Sequence, residues 1–369
     1  MNDIADFTPN AKLYFNIGAY SLGSLLALPD GQSLYGRTLD YTEPATGNQR
    51  AQFNGGISLG GNNRLDSIII LNQSLIQPIA VNIDGVNDIV IRNTSIESEV
   101  VDPTVFTTVI ALNLNSANNV NITNSQIITK ATSSTSPTGI EVFNIKASNS
   151  QFRLANSTLT QNLMSDAATN IGGPIKITNA TQADITNSQI TSNNTSNAPF
   201  ASVNVYGIDV SGGSTVNITD SKINVSINSS RNAFSDGIAN FNSTVNINNS
   251  VITAESNSVG SDPIADSVGA FVSSGVTTIN NSVINVTSNS KGTLQNVSTG
   301  RGLVSASSGV MNASNTTLNV STNTSGTTTG NSQAIGAQAT PNGGVYNPSN
   351  ITYNLSATGL TPTSTITVQ

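Results

Sequence analysis

Apolar and polar residues alternate in short runs along this chain. One run of eight keeps returning: aliphatic, polar, aliphatic, polar, Asn, Ser or Thr, any residue, aliphatic. Copies stand at 89–96 (IVIRNTSI), 120–127 (VNITNSQI), 152–159 (FRLANSTL), 183–190 (ADITNSQI), 216–223 (VNITDSKI), 245–252 (VNINNSVI), 277–284 (TTINNSVI) and 311–318 (MNASNTTL). The segment 68–75 (IIILNQSL) reads as a first, irregular copy. The fifth position falls at Asn72, Asn93, Asn124, Asn156, Asn187, Asp220, Asn249, Asn281 and Asn315. A spacing of about 31 residues, held over so many steps, marks a chain built from stacked repeats. Within each copy the alternation has the two-residue period of a strand with one buried face. Val, Ile and Thr suit strands, whereas Asn, Ser, Thr and Val are poor helix formers.

A second short strand follows each Asn, then a polar loop, then a third apolar segment such as 139–145 (GIEVFNI) or 203–210 (VNVYGIDV). The repeat therefore predicts strand, Asn turn, strand, loop, strand and turn. This is an all-β, right-handed, single-stranded parallel β-helix, a solenoid of about nine coils, roughly 43 Å long at the spacing of neighbouring strands. A sharp bend needs a residue in the left-handed region, which Asn tolerates. Asn amides stacked coil on coil predict a hydrogen-bonded ladder through Asn93, Asn124, Asn156, Asn187, Asp220, Asn249, Asn281 and Asn315, weaker at Asp220 because a carboxylate only accepts. Residues 1–60 hold four of the seven Tyr and lack the octet, so they are expected to form an N-terminal cap and opening segment. Coils are expected over 61–345, and a terminating segment over 346–369.

Composition changes the picture in three ways. Charged residues are 9% of the chain, with Asn, Ser and Thr in their place, while the hydrophobic share is still 36%. That is enough apolar material for a core and argues against simple disorder. The net charge is −7, and no run of Lys or Arg occurs, so neither nucleic acid nor an anionic membrane surface is an expected partner. Cysteine and histidine are both absent. This removes thiolate nucleophiles, the commonest general base and every Ser–His–Asp arrangement. No cofactor or metal is expected, since no Asp-x-Asp group supplies the six to eight oxygens that calcium takes.

Carboxylates could still act alone. Aligning the third strands places Glu141, Lys176 and Asp209 in one column, with Asp236 and Asp266 on the next two coils. These could be an acid/base group for glycoside cleavage or only charges on a solvated face. The first strand offers two outward columns: Asn121, Arg153, Asp184, Asn217, Asn246, Thr278 and Asn312, and, two residues on, Thr123, Ala155, Thr186, Thr219, Asn248, Asn280 and Ser314. They could meet a repetitive ligand such as a glycan, or simply be soluble strand formers. Polar inserts at 132–137, 191–199 and 257–265 are expected to line one edge, where contacts are made.

The coils resemble the right-handed parallel β-helix passenger domains of Gram-negative autotransporter and inverse-autotransporter surface proteins. The closest likeness lies in 10–20 (NAKLYFNIGAY), 28–36 (LPDGQSLYG), 37–41 (RTLDY) and 53–63 (FNGGISLGGNN). The resemblance implies extracellular display and often adhesion, and it carries no catalytic residue. The expected function is that of a non-enzymatic, monomeric, surface-displayed or secreted bacterial adhesin presenting loops to a glycan or host surface protein. Membrane attachment would come through a barrel or anchor outside this sequence, and the export signal is also expected to lie elsewhere. The many Asn-x-Ser/Thr sequons in the turn column fit a bacterial source, because glycans there would block stacking. The alternative is a polysaccharide lyase or glycoside hydrolase using Asp209, Asp236 or Glu141. A third reading is an aggregating Asn-rich segment.

Overall fold

The computed structural model describes residues 8, 10–23, 25–134, 139–166, 169–197, 202–326, 329–359 and 361–365. Strands dominate, and the helical element among these residues is one 3-10 turn, Gly47–Gln49. The chain is a parallel β-solenoid of about ten turns. Each turn lays two strands in a 22-stranded sheet and one in a facing 13-stranded sheet. A representative turn is Asn118–Thr123, Gln126–Ser133 and Ile140–Ser148.

Parallel register stacks the octets as the repeat predicts. Ile91, Ile122, Leu154, Ile185, Ile218, Ile247 and Ile279 form one inward column of the first sheet. Ile96, Ile127, Leu159, Ile190, Ile223, Ile252 and Ile284 form a second. The facing sheet contributes Ile145, Ile175, Ile208 and Ile238. All are buried in a single core. One coil cannot bury these side chains alone. Each is covered by the coils above and below, at about 1.5–3 kcal/mol per buried aliphatic side chain.

The turn residues Asn93, Asn124, Asn156, Asn187, Asp220, Asn249, Asn281 and Asn315 all have φ between 46° and 51°, the left-handed conformation that a bend between strands requires. Their backbone N–H groups donate across to the next coil, as from Asn124 to Ala155 O and from Asp220 to Asn248 O, both at 3.1 Å. Side-chain amide bonds join Asn187 to Asn156 (2.8 Å) and Asn350 to Asn315 (2.7 Å). The unbroken ladder lies one residue on, in hydroxyls. Backbone N–H groups of Thr94, Ser125, Ser157, Ser188, Ser221 and Ser250 donate in turn to Oγ of Ser125, Ser157, Ser188, Ser221, Ser250 and Ser282, at 3.1–3.2 Å. Each of those serine hydroxyls then donates to the carbonyl two residues earlier in its own coil. Every ladder serine is thus donor and acceptor at once, so burial leaves it satisfied. A second corner repeats the device through Ser150, Thr181, Ser214 and Ser243.

Three expectations need correction. The segment 68–75 is not an octet: Ile68–Asn72 is the second strand of its coil, in register with Ser95–Ser98, and the turn before it is Ser67 at φ 60°. Asn72 instead ties the loop, donating to the carbonyls of Gln77 and Ile79. Parts of the inserts are strand: 132–133 within Gln126–Ser133, 191–196 within Gln189–Ser196, and 257–260 within Val251–Gly260; 135–138 and 198–201 lie outside the described residues. They read as loops because hydroxyls occupy inward positions there: Ser229, Ser258, Ser290 and Thr324 form a buried column. Finally, coiling extends past 61–345. Lys12–Phe15 already pairs with Ser33–Gly36, and Val345–Thr358 pairs with the strand before it.

Candidate functional site

The third-strand column differs from the sequence alignment. Glu141 pairs with Ile171 and accepts from Thr108 Oγ1 at 3.1 Å. Lys176 pairs with Lys146 on one side and Asp209 on the other. Glu141 therefore stands five residues from the Lys176–Asp209 column. The partner strand breaks into Thr169–Gly172 and Ile175–Thr178 around Gly173–Pro174, since proline cannot donate to a ladder, but the register is the same on both sides of the break.

Asp236 and Asp266 do come together, with residues the sequence reading passed over. A surface pocket of about 260 Å³ on the outer face of the second sheet is lined by Asn204, Tyr206, Phe234, Asp236, Asp266, Val268, Phe271 and Arg301. Its residues come from four consecutive coils. Tyr206, Asp236, Val268 and Arg301 form one column, and Asn204, Phe234 and Asp266 another, two residues away. Every member of the first column precedes a glycine: Gly207, Gly237, Gly269 and Gly302. A Cβ at Gly237 would lie 2.5 Å from the Gly269 carbonyl oxygen, so the glycines let the coils approach beneath the pocket.

Arg301 Nη1 donates to both oxygens of Asp266 at 3.0 Å. Asp266 is raised above the ordinary carboxylate range by burial, against the pull of Arg301. Asp236 has less help. Burial first, and then the neighbouring Asp266 charge, push its carboxyl up to about 7, with Arg301 opposing. Tyr206 is raised by burial and by Asp236 and Asp209. Asp209 is raised by burial, partly countered by Lys176, and does not line the pocket. Side by side, the pocket offers a protonatable carboxyl, an ion-paired carboxylate, a guanidinium, a phenol and two phenyl rings. Aligning the chain on the recurring third-strand glycines would have found Asp236 and Arg301 in one column.

Among the described residues, no group of three or more acidic side chains is placed to hold a metal ion. The two outward columns of the first strand stack as expected. Their polar groups bind one another, however: Asn217 donates to Asp184 (2.8 Å), Asn246 to Asn217 (2.9 Å) and Asn280 to Asn248 (3.1 Å). That leaves fewer free donors for a ligand. The edge after the second strand exposes Leu75, Ile76, Val101, Val105, Phe106 and Met164.

No protein-family model matches the chain, and no curated protein matches it.

Proposed function

We infer that this chain is a surface-displayed or secreted right-handed solenoid of the autotransporter-passenger kind, and that it binds carbohydrate through the Tyr206–Asp236–Asp266–Arg301 pocket. One observation carries the reading: aromatic faces, a carboxylate–guanidinium pair and a carboxyl raised by burial, from four consecutive coils, converge on one surface pocket. Phe234 and Phe271 supply apolar area for a sugar ring's C–H face. Asp266, Arg301 and Asn204 supply hydroxyl partners, as in concave sites where a few polar groups fix orientation. The exposed apolar side chains along the loop edge support attachment to a second surface.

The test is a glycan array followed by titration of the best sugar. Phe234→Ala and Arg301→Gln should each weaken binding by about tenfold, the first through lost apolar contact and the second through a lost charge-assisted hydrogen bond. An array with no bound glycan contradicts the reading.

The raised carboxyl of Asp236 favours a second reading, in which it donates a proton to a glycosidic oxygen while Asp266 stays ionised. Reducing-end release from polysaccharides that is lost in Asp236→Asn supports this. Loss in Asp209→Asn but not Asp236→Asn would move the acid outside the pocket.

A further inference from the structure

The chain carries no run of basic residues, yet coiling makes a cationic face. Arg37, Arg64 and Arg92 lie about one coil apart in sequence and gather on the outer face of the first sheet, near its first coils. Tyr14 pairs with Tyr35, Tyr35 with Asp66, and Asp66 with Arg92. Arg64 stands beside this column, two residues from Asp66.

The contacts there are specific. Tyr14 and Tyr35 stack with centroids 5.2 Å apart and planes at 28°. The Arg37 guanidinium lies over both rings, 5.3 and 5.1 Å from their centroids, and Arg64 lies 5.7 Å from the Tyr35 ring. Arg64 and Arg92 both donate to one oxygen of the buried Asp66, at 2.9 and 2.8 Å. Burial alone would raise Asp66, but the bonds from Arg92, Arg64 and Ser67 hold it below the usual carboxylate range. Arg37 donates to the Gly36 carbonyl at 3.0 Å. Among the described residues no carboxylate lies within ion-pair distance of it. Nearby Asp40 is engaged by the Thr38 hydroxyl and the Thr42 N–H.

Of three guanidinium groups, two thus share one carboxylate and Arg37 has none within ion-pair distance, in a chain whose overall charge is −7. Arg37 and Arg64 lie over tyrosine rings, and Arg64 and Arg92 are held by the Asp66 carboxylate. Arginine fixed in this way keeps outward N–H groups in a planar fork that matches carboxylate or sulfate oxygens. Half-exposed Tyr14 places an aromatic face beside them. An inorganic anion would use the charge and leave the ring idle, whereas a sugar carrying an acid group uses both.

We propose that the Tyr14–Tyr35–Arg37–Arg64 face is a second binding site, for an acidic polysaccharide, with Tyr14 against the ring and Arg37 on the acid group. It is independent of the pocket on the other sheet.

The test is affinity electrophoresis of the full chain in gels containing polygalacturonate, heparin, dextran or an oligothymidine. Retardation is expected with polygalacturonate, heparin or both, which distinguishes carboxylate from sulfate, and not with neutral dextran. It should weaken as salt shortens the reach of charge, to a Debye length of about 8 Å at physiological ionic strength. Arg37→Gln should cut apparent affinity by about tenfold, Arg37→Lys less, and Tyr14→Ala by several-fold, with unchanged thermal melts. Phe234→Ala, which disables the other pocket, should leave this retardation intact, so the two sites fail separately. The proposal is overturned if neither acidic polymer retards the wild type. It also fails if Arg37→Gln and Tyr14→Ala behave as wild type, or if oligothymidine is held as tightly as the polysaccharides.

Discussion

Replacing Asp236 by Asn should make this protein more stable above neutral pH and leave it unchanged in acid. Asp236 faces outward between Tyr206 and Val268 in register, beside the Asp266–Arg301 pair. Its carboxyl is raised from 3.8 to about 7, first by burial and then by the Asp266 charge. A raised acid holds its proton more tightly in the folded state than in the unfolded one. Below the unfolded value both states are protonated and stability is complete. Between that value and about 7 only the unfolded chain ionises, so stability falls as pH rises, and above about 7 the loss is complete. At about 1.4 kcal/mol per pH unit the full shift is worth roughly 4 kcal/mol. Because the group is partly solvated, about 2 kcal/mol is the expected gain for Asp236→Asn near pH 8. Asp209 and Asp266 are raised as well and add to the same slope, whereas Asp66 and Asp102 are lowered and act only in acid. Urea unfolding followed by circular dichroism at about pH 4, 6 and 8 measures this directly. A variant that is less stable than wild type at the highest pH, with the same slope, refutes the reasoning.

Other perturbations probe the scaffold. Ser188→Ala removes a hydroxyl that accepts from Ser157 N–H and donates to Thr186 O, and should cost about 1–3 kcal/mol in urea unfolding. Gly269→Ala would drive a Cβ to 2.5 Å from the Gly302 carbonyl and against Ile284; a melting point lowered by several degrees is expected, corresponding to about 1–3 kcal/mol. Asn156, at φ 50°, should accept Gly almost neutrally but lose about 1–2 kcal/mol on replacement by Val, read in the same unfolding assay.

The period and the two inward columns were legible because identical packing demands repeat in every coil. The left-handed Asn positions were legible for the same reason. A role the sequence reading did not assign belongs to the next residue: Asn sets the bend, and the serine after it carries bonds from coil to coil. Asn72 misled because Ser67 makes that coil's turn. The buried serines of the second strand misled because hydroxyls read as loop until the coil that pairs with them is known. Glu141 misled because Ile140–Val142 has the same apolar–charged–apolar pattern as Ile175–Ile177 and Ile208–Val210, although Ile145–Ala147 is the segment in register with them. The pocket was only half legible. Asp236 and Asp266 stood out as charges in a chain with few, but Tyr206, Phe234, Phe271 and Arg301 join them only through register across four coils. The Arg37–Tyr35 face was hidden likewise, since a linear scan for basic runs cannot see charges one coil apart.

All of this rests on register, and the lack of native cysteine makes register measurable. Asn121 and Thr278 stand five coil steps apart in one outward column, and Asn121 and Asn347 seven. Spin labels on cysteines placed at these pairs should give backbone separations of roughly 24 and 34 Å, rising by about 4.8 Å per coil. Distances that are broad, or that do not grow with the number of coils between the labels, would contradict the stacked solenoid.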